Sequence, residues 1–314
     1  MPAAIINGVR LNYVQLDDAD GDGASREDLI MVHGLATNMA FWYFKYARAV
    51  ARKFRVTLYD LRGHGHSEMP PTGYSPAVQA QDLAGLMDHL RIEKAHFLAH
   101  SFGGLVTLNF ACAQPQRVSS LVLADINFLA RRHVQTRRQW AYGLRFQPIL
   151  DHHGLGLDTR DPYFGYKLLK RAAQWQLSGY EVPAEVVELV SPLLGKTGKR
   201  TSADWLKLLD TTSAEAEMMG DDGLALERLR ALRFPILALY GDHSHARLTE
   251  AEVLTVWRHA VFRRVPDAGH FFPSTRHEET LSECNRFWGG GHTKAPLQQD
   301  ASEGAASFLP AVKA

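Results

Sequence analysis

A serine at position 101 stands between two apolar runs, Ala95 to Ala99 and the stretch that begins at Phe102, and the residues two before and two after it are the small Ala99 and Gly103. A serine hydroxyl becomes a useful nucleophile when a neighbouring base takes its proton. A nucleophile on a sharp strand-to-helix turn occupies a strained backbone conformation that leaves no room for large side chains at those two flanking positions. The segment therefore reads A-x-S-x-G, which keeps the steric rule of the commoner G-x-S-x-G with one methyl group added. A Ser-Gly turn without chemistry is the plainer alternative; the strand before it and the helix after it argue for the nucleophile.

Other chemistry-bearing types are plentiful but less ordered. Fifteen histidines compete for the role of base. Aspartates at the ends of apolar runs, Asp125 and Asp242, could orient one of them or simply cap turns. The doublets Asp221-Asp222 and His152-His153 have no matching ligand set at metal spacing, so no metal is expected. No phosphate-binding glycine loop and no dinucleotide fingerprint appears, so no cofactor is expected either.

The elements that must position these residues alternate between strand-length apolar runs and helix-length amphipathic segments, as in βαβ units that build a mostly parallel sheet. Strands are expected near Ala4 to Ile6, Arg10 to Leu16, Leu29 to Val32, Arg55 to Tyr59, Ala95 to Ala99, Ser119 to Ala124, Pro235 to Tyr240 and Ala260 to Val265. Helices are expected near Phe41 to Arg52, Pro76 to Leu90, Phe102 to Ala113, Thr249 to His259 and Thr275 to Trp288. Between Ile126 and Gly220 the alternation stops and the chain reads as helical and aromatic. The expected organisation is a core over 1–125 and 221–290, a helical cap over 126–220, and a disordered Gly-, Ala-, Ser- and Gln-rich tail over 291–314.

The totals agree with a globular enzyme. Of 314 residues, 46% are hydrophobic and 22% charged, enough apolar surface to offset chain entropy without staples. A net charge of +1 gives no global attraction to nucleic acid or acidic membranes. Two cysteines, Cys112 and Cys284, make no disulfide framework. With no signal-peptide pattern and no apolar run of bilayer length, a cytoplasmic protein is expected, with neither nucleic acid nor membrane as partner.

Taken together, His33-Gly34, Asp60-Leu61-Arg62-Gly63-His64-Gly65-His66-Ser67, His100 to Gly104 and Gly269-His270 stand in the order and spacing of the α/β-hydrolase superfamily, which the chain resembles from about Ile5 to Trp288. The resemblance implies an eight-stranded, mostly parallel sheet flanked by helices, with the cap inserted after strand 6. It implies that His270, in the turn after the last strand, is the base, and that the backbone N–H groups of Leu35 and Phe102 form the oxyanion hole, the second at a helix N-terminus where the dipole also favours an anion. His33, His64, His66 and His100 are expected to shape loops.

The acid is open between two places. Most relatives carry it as G-x-x-D after the strand ending at Tyr240, but this chain reads Gly241-Asp242-His243-Ser244 there. A minority carry it after the preceding strand, where Asp125 stands. Asp125 is favoured and Asp242 is the alternative, since the role requires proximity to the imidazole and not a fixed place in the sequence.

Trp42, Phe271 and Trp140 are expected to contact substrate, with the cap aromatics lining an apolar pocket. Basic residues including Arg131, Arg132, Arg137, Arg138, Arg145, Lys167, Lys170, Lys196 and Arg200 outnumber acids in the cap. The expected substrate is a small-molecule acyl ester or thioester, with a carrier-bound acyl group as a further form, cleaved through an acyl-enzyme. A carbon–carbon bond hydrolase or lactonase on the same triad is the alternative, and a non-catalytic binding protein of this fold a more distant one. Relatives that open epoxides or remove halides use an aspartate nucleophile, and serine at 101 argues against both.

Overall fold

In the computed structural model, residues 2–17, 26–127, 140–190, 198–246, 253 and 255–290 are described, and eight strands form one sheet. The strands are β1 (Ala3–Ile6), β2 (Val9–Leu16), β3 (Glu27–Val32), β4 (Phe54–Tyr59), β5 (Ala95–His100), β6 (Val118–Ala124), β7 (Ile236–Gly241) and β8 (Val261–Val265), in the spatial order β1-β2-β4-β3-β5-β6-β7-β8. The first hairpin joins β4 antiparallel, and every pair from β4 onward is parallel.

Central parallel strands are covered on both faces and so are apolar throughout. Along β3 the side chains alternate between two cores: Leu29 and Met31 pack on one face with Trp42, Tyr46 and Phe272, while Ile30 and Val32 pack on the other with Phe97, Val106 and Leu83. The edge strand β1 alternates exposed and buried residues.

Helices fill both faces. A first helical stretch, α1, runs through Ala40–Trp42, a π-helical turn Tyr43–Ala47, and Arg48–Val50. Helix α2 (Pro76–His89) starts where the sequence indicates, with Ser75 accepting from the Val78 N–H and proline in the first turn. Helix α3 (Phe102–Ala113) follows β5 directly and is buried along most of its length. Between β6 and β7 the described residues hold helices only: α4 (Ala141–His152), α5 (Phe164–Ser178), α6 (Ala184–Val190), α7 (Gly198–Thr211), α8 (Ala214–Met219) and α9 (Leu226–Arg230). After β8 come α10 (Phe272–Thr275) and α11 (His277–Trp288). The expected single helix from Thr275 is thus divided at Arg276, whose φ of −124° and ψ of 48° are not helical.

The expected helix at 249–259 falls largely outside the described residues, as do the tail 291–314 and the cap cations Arg131, Arg132, Arg137, Arg138 and Lys196. Among the described residues no helix is long and apolar enough to cross a membrane.

Candidate active site

The C-terminal ends of β3, β5, β6 and β7 and the turn after β8 converge on Ser101. The serine sits between β5 and α3 with φ 52° and ψ −121°, a left-handed conformation that a residue with a Cβ rarely adopts. Its N–H donates to the Ala124 carbonyl at 3.0 Å, which ties the turn to the neighbouring strand. The small flanking residues have a measurable reason: a Cβ on Gly103 would overlap the His33 carbonyl oxygen and lie 2.7 Å from that of Val32.

His270 lies on the far side of the serine hydroxyl. Its Nε2 is 3.0 Å from Ser101 Oγ, placed to accept that proton, and its Nδ1 is 2.6 Å from Asp125 Oδ2. Asp125, the first residue after β6, also has a positive φ of 55° and is fully buried. Its N–H donates to Leu239 O, and its carboxylate accepts from the Gly241 N–H at 3.0 Å and from the Ser244 hydroxyl. The two candidate positions for the acid are placed differently. Asp125 meets the imidazole, whereas Asp242, directly after β7, donates its backbone N–H to Val265 O at the end of β8.

Burial sets the electrostatics. It lowers the His270 pKa to about 4, so the imidazole is neutral and able to accept a proton at neutral pH. Burial also pushes the Asp125 carboxyl up to about 6, and the Ser244 and Gly241 hydrogen bonds oppose that rise. His100, next to the serine, is held down to about 3 by burial and then by His270; its Nε2 donates to the His270 carbonyl at 2.9 Å. It steadies the base from below.

The loop after β3 closes in from the other side. A Cβ on Gly34 would stand 3.1 Å from Ser101 Cβ, so the His33-Gly34 segment lies directly against the nucleophile turn. His33 Nδ1 donates to Gly34 O and its Nε2 accepts from the Leu61 N–H, joining this loop to the one after β4. Asp60 accepts from Asn12, Met39 and His66, and Gly65 leaves room for its carboxylate. These side chains spend their polar atoms on hydrogen bonds that tie the loops together.

A cavity of about 90 Å³ opens over the serine. Leu35, Phe102 and Leu105 form its floor with Ser101 and His270, and Tyr163, Tyr166, Leu169, Met218 and Met219 from the helical segment form its roof. Behind His270 a slot of about 20 Å³ is lined by Phe271, Trp140, Phe164 and His245. Phe271 and Trp140 thus stand at the site. Trp42 does not: it is fully buried in the core between Phe41 and Tyr46, with its ring 6.5 Å from His100, and lines none of these spaces. Its apolar ring is drawn into the sheet-facing side of α1, a helix phase that the sequence left undetermined.

A larger cavity of about 460 Å³ lies between the loops after β3 and β4 and helix α7, with Ala36, Tyr43, His64, Arg200 and Trp205 in its walls. It contains no atom of Ser101, His270 or Asp125, although the adjacent residues Leu35 and Ala36 face one cavity each.

The sequence reading missed His245, whose ring is 5.1 Å from that of His270, and the methionines of α8. The polar run Gly241 to His245 was a signal for the first; the methionines carry no local signal. Of the cap cations, Lys170 pairs with Glu215 at 3.1 Å, Arg200 with Asp204 at 3.6 Å, and Lys167 with Asp161.

Comparison with known proteins identifies the fold family. The family model for the alpha/beta hydrolase fold matches residues 29–276. The chain is 38% identical over 120 residues to the dihydrolipoyllysine-residue acetyltransferase component of an acetoin cleaving system of Pseudomonas putida, covering 38% of this chain and 31% of that protein. It is 33% identical over 123 residues to a soluble epoxide hydrolase of Corynebacterium sp., covering 39% of this chain and 40% of that one. The chain thus spans well under two thirds of these relatives. The enol-lactonase of Burkholderia xenovorans superposes with a TM-score of 0.64 at 22% identity, covering 92% of this chain and all of that one, a likeness of fold.

Proposed function

Because the chain belongs to the α/β-hydrolase fold family, we propose that it is a serine hydrolase that cleaves a carboxylic ester or thioester through an acyl-enzyme. The observation that carries this reading is the unbroken relay from Ser101 Oγ through His270 to Asp125, at 3.0 Å and 2.6 Å. In the proposed reaction Ser101 Oγ attacks the carbonyl carbon as His270 Nε2 takes its proton. Asp125 holds the imidazole in the tautomer with hydrogen on Nδ1 and stabilises the imidazolium that forms. The N–H groups of Leu35 and Phe102 receive the developing oxyanion. His270 then protonates the leaving alcohol or thiol, the acyl group remains on Ser101, and a water activated by His270 releases it as a carboxylic acid.

The kinship with an epoxide hydrolase does not alter this reading, since opening an epoxide in this fold uses a carboxylate nucleophile and position 101 is serine. The cavity over the serine is far below the roughly 300–1,000 Å³ of pockets that enclose drug-sized ligands, which favours a short acyl group. A lactone, being a cyclic ester, fits the same chemistry.

The test is covalent labelling with a fluorophosphonate, together with turnover of p-nitrophenyl acetate and butyrate and acetyl thioesters. The protein should be modified at Ser101 and hydrolyse the short esters, and Ser101→Ala should lose labelling and about 10⁵-fold or more in kcat. Labelling at another residue, or equal turnover by Ser101→Ala, would overturn the assignment.

A further inference from the structure

One carboxylate outside the catalytic relay fixes a wall of the catalytic cavity. Glu217, on α8, accepts hydrogen bonds from the backbone N–H groups of Gly73 at 2.9 Å, Tyr74 at 2.7 Å and Ser75 at 3.2 Å, and from the Ser213 hydroxyl. The Ser213 N–H also donates to Pro71 O at 2.9 Å. Three successive amides turned toward one anion form a concave binding geometry, and here they lead into the N-terminus of α2, whose dipole adds to the attraction.

The anchor is itself held firmly. Arg62 lies against Gly73, where a Cβ would overlap its guanidinium, and makes a buried two-pronged pair with Asp82 of α2, with Arg62 Nη2 2.8 Å from Asp82 Oδ1. The tethered element is not self-supporting, since α8 is only six residues long and isolated helices of that length are unstable in water. The next two residues after Glu217 are Met218 and Met219, and both face the space above Ser101 and His270. Methionine is flexible and fills whatever shape its backbone allows, so the wall is only as well defined as the helix that carries it. Burial would raise the Glu217 pKa, but the hydrogen bonds from Ser213 and the three amides outweigh it and hold the carboxyl below its usual range, so the tether is ionised at neutral pH.

We propose that Glu217 is a positioning residue that sets the dimensions of the catalytic cavity by pinning Met218 and Met219 against the core. The inference rests on the acyl-transfer reading above and deepens it: acyl-length selectivity is controlled from a contact that no substrate touches.

The experiment compares the wild type with Glu217→Ala, Glu217→Gln and Met219→Ala on p-nitrophenyl acetate, butyrate and octanoate. In Glu217→Ala, KM for acetate and butyrate should rise about fivefold with kcat changed less than about twofold, and the octanoate-to-acetate ratio of kcat/KM should rise about fivefold. Glu217→Gln, which keeps one acceptor oxygen, should shift in the same direction by less, and it carries the comparison if the alanine variant does not fold. Met219→Ala should shift the same ratio, and its effect should fail to add to that of Glu217→Ala, as expected of residues acting through one wall. An unchanged chain-length profile and unchanged KM, with only a lower melting temperature, would overturn the inference and leave Glu217 a purely structural contact. Hydrogen exchange separates this failure from failure of the acyl-transfer reading. A wild type that takes no fluorophosphonate and cleaves no ester counts against that reading, and the tether then stands or falls on whether the amides of 73–75 and 214–219 exchange faster in Glu217→Ala than in the wild type.

Discussion

The Ser244 hydroxyl donates to Asp125 Oδ2, the same carboxylate oxygen that receives the His270 Nδ1–H. Ser244 occupies the place where a G-x-x-D sequence would put the acid itself. In this chain the carboxylate comes from the end of β6 instead, and the vacated position supplies a donor that holds it. The Gly241 N–H secures the other oxygen, so the acid is fixed from β7 although it belongs to β6.

Removing that donor has a predictable sign. The Ser244 bond lowers the Asp125 pKa against the rise caused by burial, so Ser244→Ala should raise it further. The acid and base titrate as a coupled pair, and activity needs the carboxylate ionised and the imidazole neutral. The acid limb of kcat/KM against pH should therefore lie near 6 in the wild type and move upward by about one unit in Ser244→Ala, since one hydrogen bond to a charged group is worth about 1.5 kcal/mol. Superimposable profiles for the two proteins would remove the role given to Ser244.

The two candidate acids separate by mutation. Asp125→Asn leaves His270 with the wrong tautomer, as the amide can donate toward Nδ1, and should cut kcat by about 10³–10⁴ at neutral pH. Asp242→Asn should change it by less than about threefold, within the usual range for a substitution away from the reacting groups. Comparable losses in both would mean that the imidazole changes partner during turnover.

The buried histidines give the fold its own pH dependence. Burial depresses His33, His64 and His270 to about 4 and His100 to about 3. In the unfolded chain all four take up protons below about 6.5. Stability should be flat between about pH 7 and 8 and should fall from about 6.5 toward 4, because the unfolded state then binds more protons than the folded one. Asp125 opposes this with one proton, since its raised pKa makes the folded state hold a proton below about 6 that the unfolded chain takes up only near 3.9. The net slope should reach about 1.4 kcal/mol per pH unit for each of the remaining protons, read from urea unfolding at a series of pH values. A stability that rises between pH 7 and 5 would contradict it.

Much of this architecture is legible in the amino-acid order because the central strands carry two-sided burial. Leu29 to Val32 and Leu121 to Ala124 are apolar throughout, which in a parallel sheet only buried strands require. Ser101 was legible as a candidate nucleophile for a steric reason, the small residues at 99 and 103, and Asp125 as a candidate acid from the place that a minority of the family gives that residue. Trp42 was misplaced because a tryptophan on an amphipathic helix satisfies a core and a substrate pocket equally well until the helix phase is known. Met218, Met219 and Glu217 were not legible at all. Their importance lies in a cavity shared with Ser101 and in hydrogen bonds to the 73–75 backbone, far away in sequence, and no local pattern encodes such a relationship.

Gly103 offers the most direct check on the nucleophile turn. Position 99 tolerates a methyl group, whereas position 103 faces two backbone carbonyl oxygens of β3 and its loop, His33 O and Val32 O, where a Cβ would overlap the first and stand 2.7 Å from the second. Backbone in a central strand cannot move aside as the tip of a flexible side chain can. Gly103→Ala should therefore destabilise the protein by about 3 kcal/mol, at the upper end for overpacking, despite the gain in helix propensity of about 1 kcal/mol within α3. Because α3 starts at Phe102, the strain should also shift the Phe102 N–H relative to Ser101 and lower kcat by tenfold or more, about 1.4 kcal/mol of lost transition-state stabilisation. Ala99→Gly should cost only about 1 kcal/mol and leave kcat near the wild-type value. Thermal unfolding and ester turnover on both variants measure the contrast; equal behaviour at the two positions would mean that the turn is looser than the close approach of β3 requires.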